Sequence, residues 1–162
     1  MKSGQSPSGQ TRRQRGAELV EFTLVMIPMF GILFLTIDLA WMLFARANLQ
    51  YAVREGVRYA VTGQSMSGMG QDASIRTVVQ QNSMGILSGA SGASKITISY
   101  LDPNANLAAT TSNAGGNVVQ VSVSGISVFP MAPLFHSGSA LSMSAVSTDV
   151  VESSPGGIPP AR

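Results

Sequence analysis

The chain has 162 residues, no cysteine and 11% charged side chains, less than half the roughly 25% usual for a soluble globular domain. The missing cysteines exclude disulfides, thiolate metal sites and cysteine nucleophiles. The formal charge of +2 is unevenly placed: Lys2, Arg12, Arg13 and Arg15 precede every acid, whereas from Ala17 onward six basic side chains face eight acidic ones. A nucleic-acid binder keeps its basic patch on the folded domain, so no nucleic-acid partner is expected.

Residues 1–16 are rich in Ser, Gly and Gln, lack apolar periodicity and end in RRQRG, the composition of a disordered, cytoplasm-facing leader. Residues 22–45, FTLVMIPMFGILFLTIDLAWMLFA, follow as an almost wholly apolar run. At about 1.5 Å per residue they cover roughly 36 Å, enough for a hydrocarbon core of about 30 Å. Pro28 and Gly31 are tolerated in such a helix, often with a kink. No other part of the chain is apolar enough to bury this run inside a globular core, so the lipid bilayer is its expected surrounding.

From Leu49 the pattern becomes amphipathic, with Leu49, Val53, Val57 and Ala60 on one face and Arg54, Glu55 and Arg58 on the other. Ala52, Gly56 and Ala60, at i, i+4 and i+8, let another helix or a sheet approach closely. Packing on the chain's own C-terminal domain is favoured over a purely intersubunit contact. Thr62-Gly63 is a glycine stop. The spacing therefore predicts one helix over 17–62, with a transmembrane span over 22–45.

Beyond it, residues 72–84 read as a short helix carrying Ile75, Val78 and Val79. Residues 95–101 alternate as a strand before the turn signal Asp102-Pro103-Asn104, and 117–128 form the clearest strand, with Gly125 as a bulge. A Pro-containing connection, 129–138, leads to a last strand over 140–151. The Pro/Gly-rich residues 153–162 are expected to be a flexible tail. The fold class is α+β: a long N-terminal transmembrane helix continuing into a small extracytoplasmic domain, 63–152, with a short helix and about three antiparallel strands packed on the helix.

Glu21 stands where the apolar run starts, and a charged carboxylate within hydrocarbon costs a few kcal/mol even on the lenient insertion scale. At headgroup depth the positive end of the helix dipole accommodates it. Spacing adds a second role. A cut after Gly16 would place the free amine of Ala17 about one turn from Glu21, and that amine, with an unperturbed pKa near 8, is largely cationic at neutral pH. In helices packed side by side, Glu21 of one subunit can pair with the amine of the next.

A basic leader, Gly16, four residues, then Glu21 and the aromatic Phe22 form the processing signature of type IV prepilins. The longer run RGAELVEFTLVMIPMFGILFLTIDLAWMLFARANLQYAVREGVRYAV resembles the TadE-like minor pseudopilins of the tight-adherence (Tad/Flp) pilus system. The resemblance extends more loosely to the strand, connection and strand of residues 117–152. It implies cleavage by a prepilin peptidase after Gly16, with Ala17 as the new N-terminus and Glu21 as the acid used in processing or assembly. The family frequently has Tyr after that acid; Phe22 keeps the ring and lacks the hydroxyl. The partners implied are the prepilin peptidase, other minor pseudopilins and pilin, and an inner-membrane secretion platform. The location implied is the bacterial inner membrane, single-pass, N-terminus cytoplasmic and C-terminal domain periplasmic or extracellular.

Other signals are weaker. Arg46, Arg54 and Arg58 follow the span closely, but the polybasic leader beside the first span sets the orientation. Asp38, near the outer interface, is expected to be hydrated or paired with a neighbouring cation. Arg12-Arg13 and Ala45-Arg46-Ala47 resemble export and signal-peptidase signals, against which stand the length of the apolar stretch and the two acids Glu21, at its start, and Asp38, within it. His136 lies without ligand-spaced Cys or carboxylates and reads as a surface residue. No metal, cofactor or catalytic residue is expected, and the motifs of hydrolases and nucleotide binders are missing. The alternative to a pseudopilin is a signal-anchored surface or periplasmic binding protein with no assembly role; a secreted hydrolase is more remote.

Overall fold

The computed structural model describes residues 8–128, 140–154 and 157–162. Helix α1 spans Ser8–Val61, α2 Gln71–Gln81 and α3 Gly89–Ala93. The strands are β1 Ile96–Asp102, β2 Ala108–Thr110, β3 Val118–Val128 and β4 Leu141–Val150. The chain divides into two compact units, the first holding α1 as far as Ala40, the second beginning at Trp41 and holding α2, α3 and the sheet.

In the first unit α1 begins at Ser8, inside the segment read as a disordered leader, and runs through Pro28 without a break. Gln and Arg are good helix formers, and an existing helix extends through them at little cost. The apolar side chains of this unit are exposed: Leu19, Val20, Phe22, Leu24 and Ile27 each show more than half their surface. None of the most apolar window is buried, and α1 is long and apolar enough to cross a membrane. Its hydroxyls are quenched locally, Thr23 Oγ1 donating to the Leu19 carbonyl (2.8 Å) and Thr36 Oγ1 to that of Ile32 (2.9 Å). Such bonds to the preceding turn leave no donor unsatisfied in hydrocarbon.

The second unit is α+β. Among the described residues the strands form one antiparallel sheet in the order β2-β1-β3-β4. Alternation explains its faces: Val119, Val121 and Val123 of β3 point inward and are fully covered, and Ile96 and Tyr100 of β1 are nearly so. The β3–β4 register shifts between Val123 and Ile126, where Gly125 takes φ +71. This bulge restores Ile126 to the inner face after two exposed residues.

The core lies between this sheet face, α2 and the second part of α1. Leu49, Val53, Val57, Ile75, Val79, Leu87, Val121 and Val151 belong to one buried cluster. α1 ends where Gly63, at φ +61, donates to the Ala60 carbonyl (3.1 Å). The structure has a fourth strand where about three are read from sequence: the three-residue β2 pairs with the outer edge of β1. The connection 129–138 and His136 lie outside the described residues.

Candidate functional site

Two stretches of α1 carry the residues singled out by sequence. The first is its start. Gly16, Ala17, Glu21 and Phe22 are all exposed on the helix. A side chain added at Gly16 would meet nothing within 4 Å. Four residues of helix separate Ala17 from Glu21, a rise of about 6 Å. Asp38, farther along, is only 6% exposed, which speaks against the hydrated alternative of the two expected for it, hydration or pairing with a cation.

The second stretch is the amphipathic continuation. Ala52, Gly56 and Ala60 are buried in the chain's own domain. A Cβ on Gly56 would lie 2.3 Å from Val79 Cγ2, with Ile75 and Val121 just beyond. Only a glycine allows α2 to approach this closely. On another side of α1, Gln50 Nε2 donates to the Val146 carbonyl of β4 (3.0 Å). β4 is an edge strand, so a helix side chain occupies one of its open backbone acceptors.

A polar hub that the sequence did not reveal lies at the N-terminus of α2. The buried Gln71 gives its amide to the Ala60 carbonyl (3.2 Å) and accepts from Asn113 Nδ2 through Oε1. Residues 160–162 close over this hub. The Ala161 carbonyl accepts from the Gln71 backbone N–H (2.7 Å), taking the place of an N-cap side chain, and the Pro160 carbonyl accepts from Asn113 (2.8 Å). The Arg162 guanidinium pairs with Asp72 (2.9 Å), donates to the Thr111 carbonyl (2.6 Å) and lies 4.5 Å over the Tyr100 ring. Residues 160–162 thus contact the hub, within the stretch 153–162 for which a flexible tail is expected. Pro/Gly content predicts a lack of regular structure; it does not see one arginine meeting an acid ninety positions away.

Burial, then the charge of Asp72 and its hydrogen bond, push the Tyr100 phenol above its ordinary pKa of 10.0, with Arg162 opposing. The hydrogen bond to Asp72 likewise raises Arg162. A phenol whose folded pKa is raised keeps its proton where the unfolded chain releases it. Its contribution to stability is thus complete below pH 10 and is lost as pH rises from there through the higher folded pKa. Absorbance titration should show a phenolate step emerging only well above pH 10, abolished in Tyr100→Phe. Arg162→Ala should lower stability by about 1–2 kcal/mol in urea denaturation, because the pair is partly buried and multiply hydrogen-bonded.

Among the described residues no group of three or more His, Asp or Glu is placed to hold a metal. The arrangement offers instead an exposed apolar helix joined to a helix face sealed by its own domain. Residues 16–58 match the family model for TadE-like proteins. This chain carries a TadE-like helix. The match begins at Gly16, takes in the whole apolar run and stops at Arg58, so the sheet lies outside it. No curated protein and no solved structure matches the chain.

Proposed function

We propose that this protein is a minor pseudopilin that enters a tight-adherence pilus assembly by helix packing, after a prepilin peptidase removes residues 1–16. The observation that supports it is the division of the TadE-like helix. From Gly16 to Phe44 its apolar side chains are largely exposed, while Leu49, Ala52, Val53, Gly56, Val57 and Ala60 are consumed by the protein's own core. The intramembrane part is thus the part left for partners. Those partners are the bilayer, pilin and other minor pseudopilins, and the inner-membrane secretion platform. The N-terminus faces the cytoplasm and the α+β domain the periplasm or exterior.

Gly16-Ala17 lies inside α1. A helical peptide bond must unwind to enter a protease, and glycine lowers the cost of leaving the helix by about 1 kcal/mol relative to alanine. Cleavage frees the Ala17 amine beside Glu21, and that amine pairs with Glu21 of a packed neighbour. Ordinary signal-peptide cleavage at Ala45-Arg46-Ala47 would instead cut α1 just beside the core residues Ala45 and Leu49. N-terminal sequencing of the mature protein tests the reading. Ala17 is expected; Asn48 would mark a conventional signal peptide, and Met1 or Lys2 a signal-anchored protein without an assembly role.

A further inference from the structure

One polar cavity lies where the apolar run gives way to the folded domain. It holds about 240 Å³ and is lined by Arg46, Ser142, Met143 and Ser144. Arg46 is the first charged residue after residues 22–45, and the nearest acids along the chain, Asp38 and Glu55, are each two helical turns or more away. Among the described residues it has no hydrogen-bonding or ion-pair partner.

The strand side of the cavity supplies donors. Side chains alternate along a strand, so Ser142 and Ser144 share one side and Met143 takes the other. A single cavity touches all three only if it opens at the strand's edge, and β4 is the edge strand. The Val146 carbonyl faces that edge, because it accepts from Gln50 on α1. In an antiparallel strand every second residue turns its N–H and C=O the same way. The backbone N–H groups of Ser144 and Ser142 therefore face the same edge as Val146, toward Arg46. A guanidinium and two backbone N–H groups around one cavity form a site for a tetrahedral oxyanion.

Depth identifies the class of anion. Trp41 and Phe44, with rings 5.7 Å apart, stand within about one and a half turns before Arg46, and both are exposed. Exposed aromatics at the end of a span mark the headgroup level of a bilayer. We infer that the cavity of Arg46, Ser142 and Ser144 binds a phosphate group, supplied by a phospholipid headgroup at the membrane surface. The inference rests on the membrane-spanning reading of residues 22–45. The bound headgroup would fix how far α1 stands out of the bilayer.

The test uses the full chain in detergent micelles and native mass spectrometry. Phosphatidylglycerol and a phosphate-free galactolipid are added in separate arms. Retained phosphatidylglycerol is expected, with at least about tenfold weaker retention in Arg46→Gln and substantial rescue by Arg46→Lys. Equal retention of the galactolipid, or wild-type retention by Arg46→Gln, would overturn the proposal. A third arm titrates inorganic phosphate, read by the fluorescence of Trp41, the single tryptophan. Phosphate that displaces the lipid supports the phosphate chemistry, whereas an absence of displacement together with equal galactolipid binding overturns it. The intact mass in the same spectrum reports whether residues 1–16 have been removed, so failure of the lipid site is distinguishable from failure of the pseudopilin reading.

Discussion

Replacing Gly56 with leucine is expected to unfold the α+β domain while leaving the apolar part of α1 helical and membrane-inserted. Even the first atom of a side chain there would lie 2.3 Å from Val79 Cγ2, well inside contact distance, and Ile75 and Val121 block retreat. Valine cannot swing a flexible end aside; α2 itself must move. Overpacking a core costs about 1–3 kcal/mol for added methylenes and more where the backbone separation is set by a glycine. For Gly56→Leu the cost should be about 3 kcal/mol or more, a large fraction of the roughly 5–15 kcal/mol that holds a domain together. Gly56→Ala should cost less, since alanine recovers about 1 kcal/mol of helix propensity. Pairing it with Val79→Ala should restore part of the loss, because the second substitution removes the colliding methyl. Circular dichroism in detergent with protease digestion would follow both. Undiminished protease resistance in Gly56→Leu would mean that α2 does not pack at this distance.

Glu21→Ala is expected to abolish or strongly reduce incorporation into pilus assemblies without reducing membrane insertion. Removing a carboxylate from the start of an apolar helix lowers the insertion cost by up to a few kcal/mol, so poor insertion cannot account for the loss. Glu21→Gln should fail in the same way, since the proposed contact to the Ala17 amine needs charge as well as shape. Glu21 belongs to no contact that builds the α+β core, which should therefore melt as in the wild type. Membrane fractionation, intact mass and a count of pili separate insertion, processing and assembly. Normal piliation by Glu21→Ala would remove the role assigned to this residue.

The fold was legible wherever a period repeated long enough to be seen. The apolar run and the Leu49-Val53-Val57 stripe locate α1, and the alternation of VVQVSVSGISV locates β3, Gly125 included. Short elements escaped for lack of period. β2 is the tripeptide Ala-Ala-Thr, and α3 is GASGA, whose glycines oppose helix formation. In α3 packing overrides propensity, since a Cβ on Gly92 would strike the Leu87 backbone. The hub of Gln71, Tyr100, Asn113 and Arg162 was illegible for another reason. Its members lie far apart in sequence, and none belongs to a motif. The residues proposed for processing and assembly stand out only through their spacing from the apolar boundary, a property of the chain before it folds.

The way α1 is shared between its two surroundings has a consequence for how the protein is made. Leu49, Val53 and Val57 are synthesised early, yet their cover includes Val121, Val123, Ala145 and Val151, and the Glu152 N–H bonds the Val61 carbonyl (3.1 Å) only at the end. On the proposed orientation this stripe would emerge bare during export and stay so until the last strand had followed it across the membrane. The half-made chain would then offer a sticky ribbon beside the bilayer surface. Its three arginines, Arg46, Arg54 and Arg58, would keep that ribbon from sinking back into the lipid while it waits for its sheet.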